Sequence, residues 1–392
     1  MNNNINSDTK GKMKRNVLLL GLVSFLNDFS SEMIMPILPM FITNLGGSAL
    51  AVGLIGGVRD SISSILKVLC GYWSDKTGMR KIFVFSGYLT SGIFKLLLSF
   101  SGIWQHVLVF GSLERVGKGL RTAPRDAIIA DSMPYHRGRG FGMHRAFDTA
   151  GAVLGTALVF ILFWFLKSGF KTIILTAAII ASLSLIPLYF VKDGKRNPQN
   201  ITLRLGIKTL PKTLKLFILV SGIFGMANFS YMFFVLRAKE YFSGRLSVAA
   251  PILLYILFNV FYALFSIPFG NLSDRIGRKK VLILGYTFFS LTSFGLAFCN
   301  SLVAFIILFA LYGTVYAMID GNQRAYVSDL AQGGLKAVAL GTFHTVIGLV
   351  ALPASLIAGL LWQVFGYYAV FIYGGLMSVL AVIFFVVAAR RP

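Results

Sequence analysis

The sequence predicts an all-α membrane protein: 12 transmembrane helices arranged as two six-helix pseudo-repeats. Three observations predict it. Hydrophobic residues make up 56% of the 392-residue chain and charged residues 13%, a balance for which lipid rather than water is the solvent. Apolar stretches of about 20 residues, the length that crosses a hydrocarbon core as a helix, recur along the whole chain. One charged turn also occurs twice, as Gly71-Tyr72-Trp73-Ser74-Asp75-Lys76-Thr77-Gly78-Met79-Arg80-Lys81 and as Gly270-Asn271-Leu272-Ser273-Asp274-Arg275-Ile276-Gly277-Arg278-Lys279-Lys280.

The twelve apolar segments fall near 17–43, 49–73, 82–103, 107–130, 140–166, 171–191, 215–236, 248–271, 281–299, 302–325, 339–363 and 367–389. The first is too long for a secretory signal and lacks a small-residue cleavage site, so it is read as a membrane helix. It carries Asp28 and Glu32 one turn apart. The second carries Arg59, Asp60 and Lys67 and runs into the first charged turn, while the third carries Lys95. The fourth presents Glu114, Lys118, Arg121 and Arg125 at spacings that share one helix face. The fifth adds Arg145 and Asp148.

After the sixth segment comes a polar, basic stretch with Asn197-Pro198 and Leu210-Pro211, which reads as a linker. The predicted organisation is an N-terminal bundle over 1–191, a cytoplasmic linker over 192–213 and a C-terminal bundle over 214–392. The seventh segment carries Asn228 and Tyr231, and the eighth carries Tyr255, Asn259 and Tyr262 on one face before the second charged turn. The tenth carries Tyr312, Tyr316, Asp320, Gln323 and Arg324. The helices of the second half thus offer only Asp320 and Arg324 as charges, against a dense set in the first half.

A net charge of +23 would suggest nucleic acid as partner in a soluble protein. Here its distribution argues otherwise. Cations gather in the N-terminal tail, in both charged turns, in the central linker and at the C-terminus, whereas the opposite side holds only Lys167, Lys171, Arg237, Lys239 and Arg245. The positive-inside rule then puts both termini in the cytoplasm and the chain, as a multi-pass protein, in the cytoplasmic membrane. Cys70 and Cys299 fall at opposite ends of their helices and read as packing residues. His106, His136, His144 and His344 show no metal-ligand spacing. With no phosphate loop and no hydrolytic triad, the chain is expected to be no enzyme and to use no cofactor and no metal.

The duplication extends beyond the turns: Asp126 to Asp131 matches Arg324 to Asp329, and Gly142 matches Gly341. With twelve helices, a central loop and paired Gly-x-x-x-Asp-x-x-Gly-x-Arg-Lys turns, the chain resembles the major facilitator superfamily over its whole length. The stretch Glu114 to Asp126 also resembles prokaryotic members of uncharacterised substrate. The resemblance implies transport by alternating access, with the solute site between the halves near the bilayer midplane. It further implies a conformational latch formed by Gly71, Asp75, Gly78 and Arg80 with Arg115, and by Asp274 and Arg278 in the second copy. The other reading of these turns is a topogenic cluster, basic because it stays inside. Two positions depart from the family pattern: Arg121 stands where a glycine is usual, and Thr156 where exporters carry a proline after Gly142, Gly151 and Gly155.

A charge at the bilayer centre costs roughly 2.5–3.5 kcal/mol on insertion scales, so embedded charges must be paired or face a wet cavity. Asp28, Glu32, Asp60, Glu114 and Asp148 are the candidates for proton coupling. The alternative is that Arg59, Lys67 or Arg115 holds the first-helix carboxylates in structural ion pairs. Arg59, Lys118, Arg121, Arg145, Asn228, Tyr231, Tyr255, Asn259, Tyr262, Tyr316, Asp320 and Gln323 are the candidates for solute binding. Their cationic members suit a carboxylated or phosphorylated solute, unless Arg121 and Arg125 snorkel to the interface. The expectation is a proton-coupled secondary transporter of a small organic solute, monomeric in the bilayer, with efflux placed ahead of import. The alternatives are a proton-driven importer of an anionic solute and a lipid flippase on the same fold.

Overall fold

The computed structural model describes residues 2–133, 137–192, 210–331 and 336–387, with side chains from Arg15 onward except at 137–138 and 336–337. His136 and all but the ends of the expected linker 192–213 lie outside the described residues. Within them every regular element is helical: α1 (Asn2–Ile34), α2 (Leu38–Asn44), α3 (Ala49–Thr77), α4 (Arg80–Ser99), α5 (Trp104–Ser132), α6 (Arg137–Trp164), α7 (Phe170–Leu183), α8 (Leu185–Tyr189), α9 (Lys212–Ala227), α10 (Met232–Tyr241), α11 (Leu246–Ile276), α12 (Arg278–Phe298), α13 (Leu302–Leu330), α14 (Lys336–Phe365) and α15 (Tyr367–Val387). Eleven spans among the described residues are long and apolar enough to cross a membrane, α7 with α8 and α9 with α10 each counting as one. The twelfth long helix is α5, whose charged residues lower its hydropathy.

Three of the expected segments are broken. The first does not run from 17 to 43 as one helix: α1 stops at Ile34 and α2 begins at Leu38. Pro36 lacks the N–H that would continue the ladder, and Pro39 then opens α2. The sixth breaks at Ser184, whose hydroxyl donates to the Ala181 carbonyl across 2.6 Å. Pro187 would clash with the carbonyl four residues earlier, that of Leu183, where α7 ends. The seventh breaks between Asn228 and Tyr231 and resumes as α10, which carries Arg237 inside a helix instead of in an outer loop.

The helices form two compact units. Unit 1 takes in the described residues of 1–35 and 65–203, and unit 2 those of 36–64 and 204–392. In unit 1, α4 shows how one helix serves two solvents. Ile82, Phe85, Leu89, Ile93 and Leu96 are exposed at helical spacing, as a lipid-facing stripe, while Tyr88, Ser91, Lys95 and Leu98 are buried. Small residues set the closest approaches. A Cβ on Gly155 of α6 would meet the Phe29 carbonyl oxygen of α1 at 2.2 Å, and one on Gly87 of α4 would meet that of Gly117 on α5 at 2.6 Å. Asn16 exchanges two hydrogen bonds with the Lys192 backbone, tying α1 to the chain that follows α8.

Unit 2 is cored by aromatic rings. Phe224 stacks on Tyr286 and Phe234 on Tyr312, each pair with centroids 4.0 Å apart. The first half of α3 packs within this unit on α14: a Cβ on Gly53 would lie 2.2 Å from the Ser355 carbonyl oxygen, and the Ser61 hydroxyl donates to the Gly348 carbonyl at 2.5 Å. The two charged turns need their glycines, since Gly78 has φ +71° and Gly277 φ +96°, a region that side chains disfavour.

Candidate functional site

In unit 1 the charges of α5 do not all face one way. Arg121 is 3% exposed. Its guanidinium donates to Ser91 Oγ at 2.5 Å and to the Gly87 carbonyl at 3.3 Å, and lies over the Tyr88 ring at 4.5 Å. It is therefore neither a snorkelling residue nor an accessible one, because α4 supplies its acceptors. Glu114 and Arg115, also buried, pair at 3.3 Å, and Arg115 reaches Met35 Sδ at 3.0 Å beside the end of α1. Arg125 binds Asp126 at 2.9 Å and Ser24 at 3.1 Å. Lys118, in contrast, is exposed.

Asp28 of α1 lies in one electrostatic cluster with Asp148 of α6 and with Lys118, Arg125 and Arg121 of α5. Asp148 also lies 3.4 Å from His144 Nδ1, and Asn27 donates to Asp28 at 3.4 Å. Arg145 is exposed and Glu32 half-buried in the same unit. Two carboxylates and several cations from three helices thus converge on a partly open site. Such an arrangement can move a proton or hold an anion, because any change of charge on one member is felt by the rest.

Lys95, buried at 1% exposure, donates to Ser31 Oγ at 2.9 Å, Ser30 Oγ at 3.0 Å and the Asn27 carbonyl at 3.5 Å. Its three ammonium hydrogens match these three neutral acceptors. The sequence identifies the lysine as an embedded cation but not its serine partners. The pair Ser30-Ser31 between Asp28 and Glu32 is the available signal.

In unit 2 the polar aromatics do converge. Tyr316 donates to Asn228 at 3.0 Å, Tyr312 to Tyr316 at 3.4 Å and Tyr262 to Asp320 at 2.9 Å. Tyr231 and Tyr255 rings lie 5.7 Å apart. Asp60, exposed, acts electrostatically on Tyr312 and Tyr316 and so lies with this group. Asp320 also binds Arg324 at 2.6 Å, and Gln323 donates to the Tyr286 hydroxyl at 2.8 Å. Arg59 is buried at 4% exposure and Asn259 is half-buried. Sequence reasoning misses a buried charge here. Arg237, 2% exposed, donates to the carbonyls of Leu296 at 3.0 Å and Cys299 at 2.6 Å and lies 3.9 Å over the Tyr367 ring. It satisfies carbonyls at the end of α12, which is why a cation can be buried there.

Each charged turn forms a clamp inside its own unit. Arg80 binds Asp75 and, at 2.5 Å, Asp131 at the end of α5. Arg278 binds Asp274 at 3.0 Å, Asp329 at the end of α13, and Ser273 at 3.3 Å. Gly71 lies against α5, where a Cβ would meet Ala123 at 3.1 Å, whereas Gly270 has open space. The repeat matches Asp131 with Asp329, but their service as arginine partners shows only in three dimensions. Cys70 and Cys299 are free and buried.

Comparison with known proteins agrees with this architecture. The Major Facilitator Superfamily model matches residues 20–249 and 217–392. An uncharacterized MFS-type transporter of Methanocaldococcus jannaschii is 56% identical over 96% of this chain and 95% of its own length. Multidrug resistance protein MdtH of Aeromonas hydrophila is 24% identical over 82% of this chain and 81% of its own. The fold is shared with the solved nucleoside transporter NupG, with a TM-score of 0.79 at 14% identity over 96% of this chain and 100% of that one. It is shared too with a D-xylose-proton symporter, with a TM-score of 0.74 at 16% identity over 95% and 96%. Matched by the family model through both sequence halves and by a relative over nearly its full length, the chain belongs to the major facilitator superfamily.

Proposed function

We propose that this multi-pass membrane transporter is a proton-coupled secondary exporter of a small organic solute, working by alternating access in the cytoplasmic membrane with both termini inside. The observation that carries the coupling is the cluster of Asp28 and Asp148 with the exposed Lys118. Carboxylates from α1 and α6 share a site with cations of α5, so protonating one changes the field that the others feel. Asp28, Glu32, Glu114 and Asp148 are the coupling groups of unit 1. The clamps at Asp75 with Arg80 and at Asp274 with Arg278 act as latches, made in one state of the cycle and opened in the other. Asn228, Tyr231, Tyr255, Asn259, Tyr262 and Tyr316 form an aromatic, hydrogen-bonding face for the solute. Export is supported by the 24% identity to a multidrug resistance protein.

A second reading is import of an anionic solute, favoured by the exposure of Lys118 and Arg145. Proteoliposomes under an imposed pH gradient, assayed with a panel of cationic drugs and of organic anions, test both. Drug extrusion that persists without a gradient, or in Asp28→Asn and Asp148→Asn, would sink proton-coupled export. Gradient-driven uptake of an anion, lost in Lys118→Ala, would replace it with the import reading.

A further inference from the structure

Unit 2 holds a cavity of about 420 Å3 separate from the aromatic face. It opens where the C-terminal ends of α2, α10 and α14 meet the start of α3 at Ala49, and Thr43, Leu236, Lys239, Glu240, Trp362 and Gln363 complete its lining. Its walls are anchored. Two residues before Lys239, Arg237 is fixed on the Leu296 and Cys299 carbonyls, which holds the last turn of α10. Trp362 packs 5.6 Å from Phe233 and 6.2 Å from Tyr367.

Each charge in this cavity has a neutral hydrogen-bond partner, while Lys239 and Glu240 also attract each other and Arg237 acts on Glu240 through the field. Lys239 Nζ donates to Thr43 Oγ1 at 2.8 Å, and the Trp362 indole N–H donates to the Glu240 carboxylate. Among the described residues neither closes an ion pair. An ammonium has three donors and a carboxylate about four acceptor positions, so each keeps capacity for a ligand. Glu240 and Gln363 are exposed and Lys239 is half-buried, while Leu236 is buried behind them. The carbonyl ends of α10 and α14 add negative potential and the start of α3 at Ala49 adds positive potential, so the cavity presents both signs to a ligand. The volume is in the range of small-molecule sites.

We propose that this cavity is a second solute site, which takes a small zwitterion with an apolar side chain, as in a free α-amino acid. The ligand's carboxylate binds Lys239, its ammonium binds Glu240, and its side chain lies against Leu236 and Trp362. The site is independent of the charged cluster in unit 1. A phosphoethanolamine headgroup has the same two charges, so the test must separate the two sources.

The test is a scintillation-proximity titration of the purified protein in phosphatidylglycerol nanodiscs with tritiated L-leucine. Saturable binding is expected. Isoamylamine and 4-methylpentanoate, which each lack one charge, should compete at least about tenfold more weakly than unlabelled leucine, since each loses one of the two charge-assisted contacts the zwitterion makes. Lys239→Met and Glu240→Gln should each weaken leucine binding by a similar factor. Adding phosphatidylethanolamine to the nanodiscs distinguishes the sources: unchanged leucine affinity assigns the site to the free zwitterion, and competitive loss assigns it to the headgroup. Absence of saturable binding, equal competition by the singly charged analogues, or unchanged binding in both variants would overturn the proposal. The analogue series needs no variant, so it decides the matter even if a substitution prevents folding.

Discussion

Arg80 on α4 donates to Asp131 at the end of α5 across 2.5 Å, 51 residues along the chain, and Arg278 repeats the pairing with Asp329 at the same separation of 51. The duplicated turn is therefore half of a clamp whose other half lies two helices away. The two copies differ in burial. The Arg80 and Asp131 side chains are 10% and 38% exposed, against 24% and 53% for Arg278 and Asp329.

That difference predicts unequal strength. A double-mutant cycle with Arg80→Met and Asp131→Asn, read by denaturant unfolding in detergent, should give a coupling of about 1–2 kcal/mol. The same cycle at Arg278 and Asp329 should give less than about 1 kcal/mol, as exposed pairs do. Equal couplings would mean that burial does not set the strength of the clamp.

Gly155 should tolerate no side chain. A Cβ there would lie 2.2 Å from the Phe29 carbonyl oxygen, while Gly142 on the same helix has nothing within 4 Å. Gly155→Ala is expected to destabilise by about 1–3 kcal/mol as α1 and α6 are forced apart. Gly142→Ala should be neutral or stabilising by up to about 1 kcal/mol, from helix propensity alone. Thermal unfolding of the two variants side by side checks the contrast.

Much of this is legible in the sequence because lipid imposes strong rules. Apolar runs and the doubled turn give the twelve spans and the duplication, since a buried backbone must satisfy its own hydrogen bonds within helices. Side-chain direction is less legible. Glu114, Lys118, Arg121 and Arg125 share a stripe by spacing, yet Lys118 is exposed and Arg121 buried, because Arg121 finds acceptors on α4 in Ser91 and the Gly87 carbonyl. Asp60 follows Arg59 in sequence and groups by position with the carboxylates of the first half, but it acts on Tyr316 in unit 2. Contacts between distant segments decide such cases, and periodicity carries no trace of them.

Arg237 illustrates the same point and gives a stability prediction. Replacing it with Met leaves the carbonyls of Leu296 and Cys299 without their donor, a cost of about 1–3 kcal/mol for each that stays dry. Arg237→Lys should be intermediate, because an ammonium lacks the planar fork that reaches both. Melting temperatures in the order wild type, Arg237→Lys, Arg237→Met are expected. A melting temperature for Arg237→Met equal to wild type would show that the carbonyls find other donors.

The face of α5 that meets the solute path can be read by thiol chemistry, because the two native cysteines are free and buried and can be removed by the substitutions Cys70→Ser and Cys299→Ser. In that background Lys118→Cys and Arg121→Cys lie less than one helical turn apart, yet Lys118 is exposed whereas Arg121 is 3% exposed and enclosed by Tyr88 and Ser91. Thiol reaction follows access and thiolate fraction, so Lys118→Cys should react with a charged methanethiosulfonate at least about tenfold faster than Arg121→Cys. A transported solute that occupies the site should slow the first reaction and leave the second unchanged. Faster labelling at Arg121→Cys would mean that α5 turns its other face to water, and Lys118 would then leave the set of solute-binding residues.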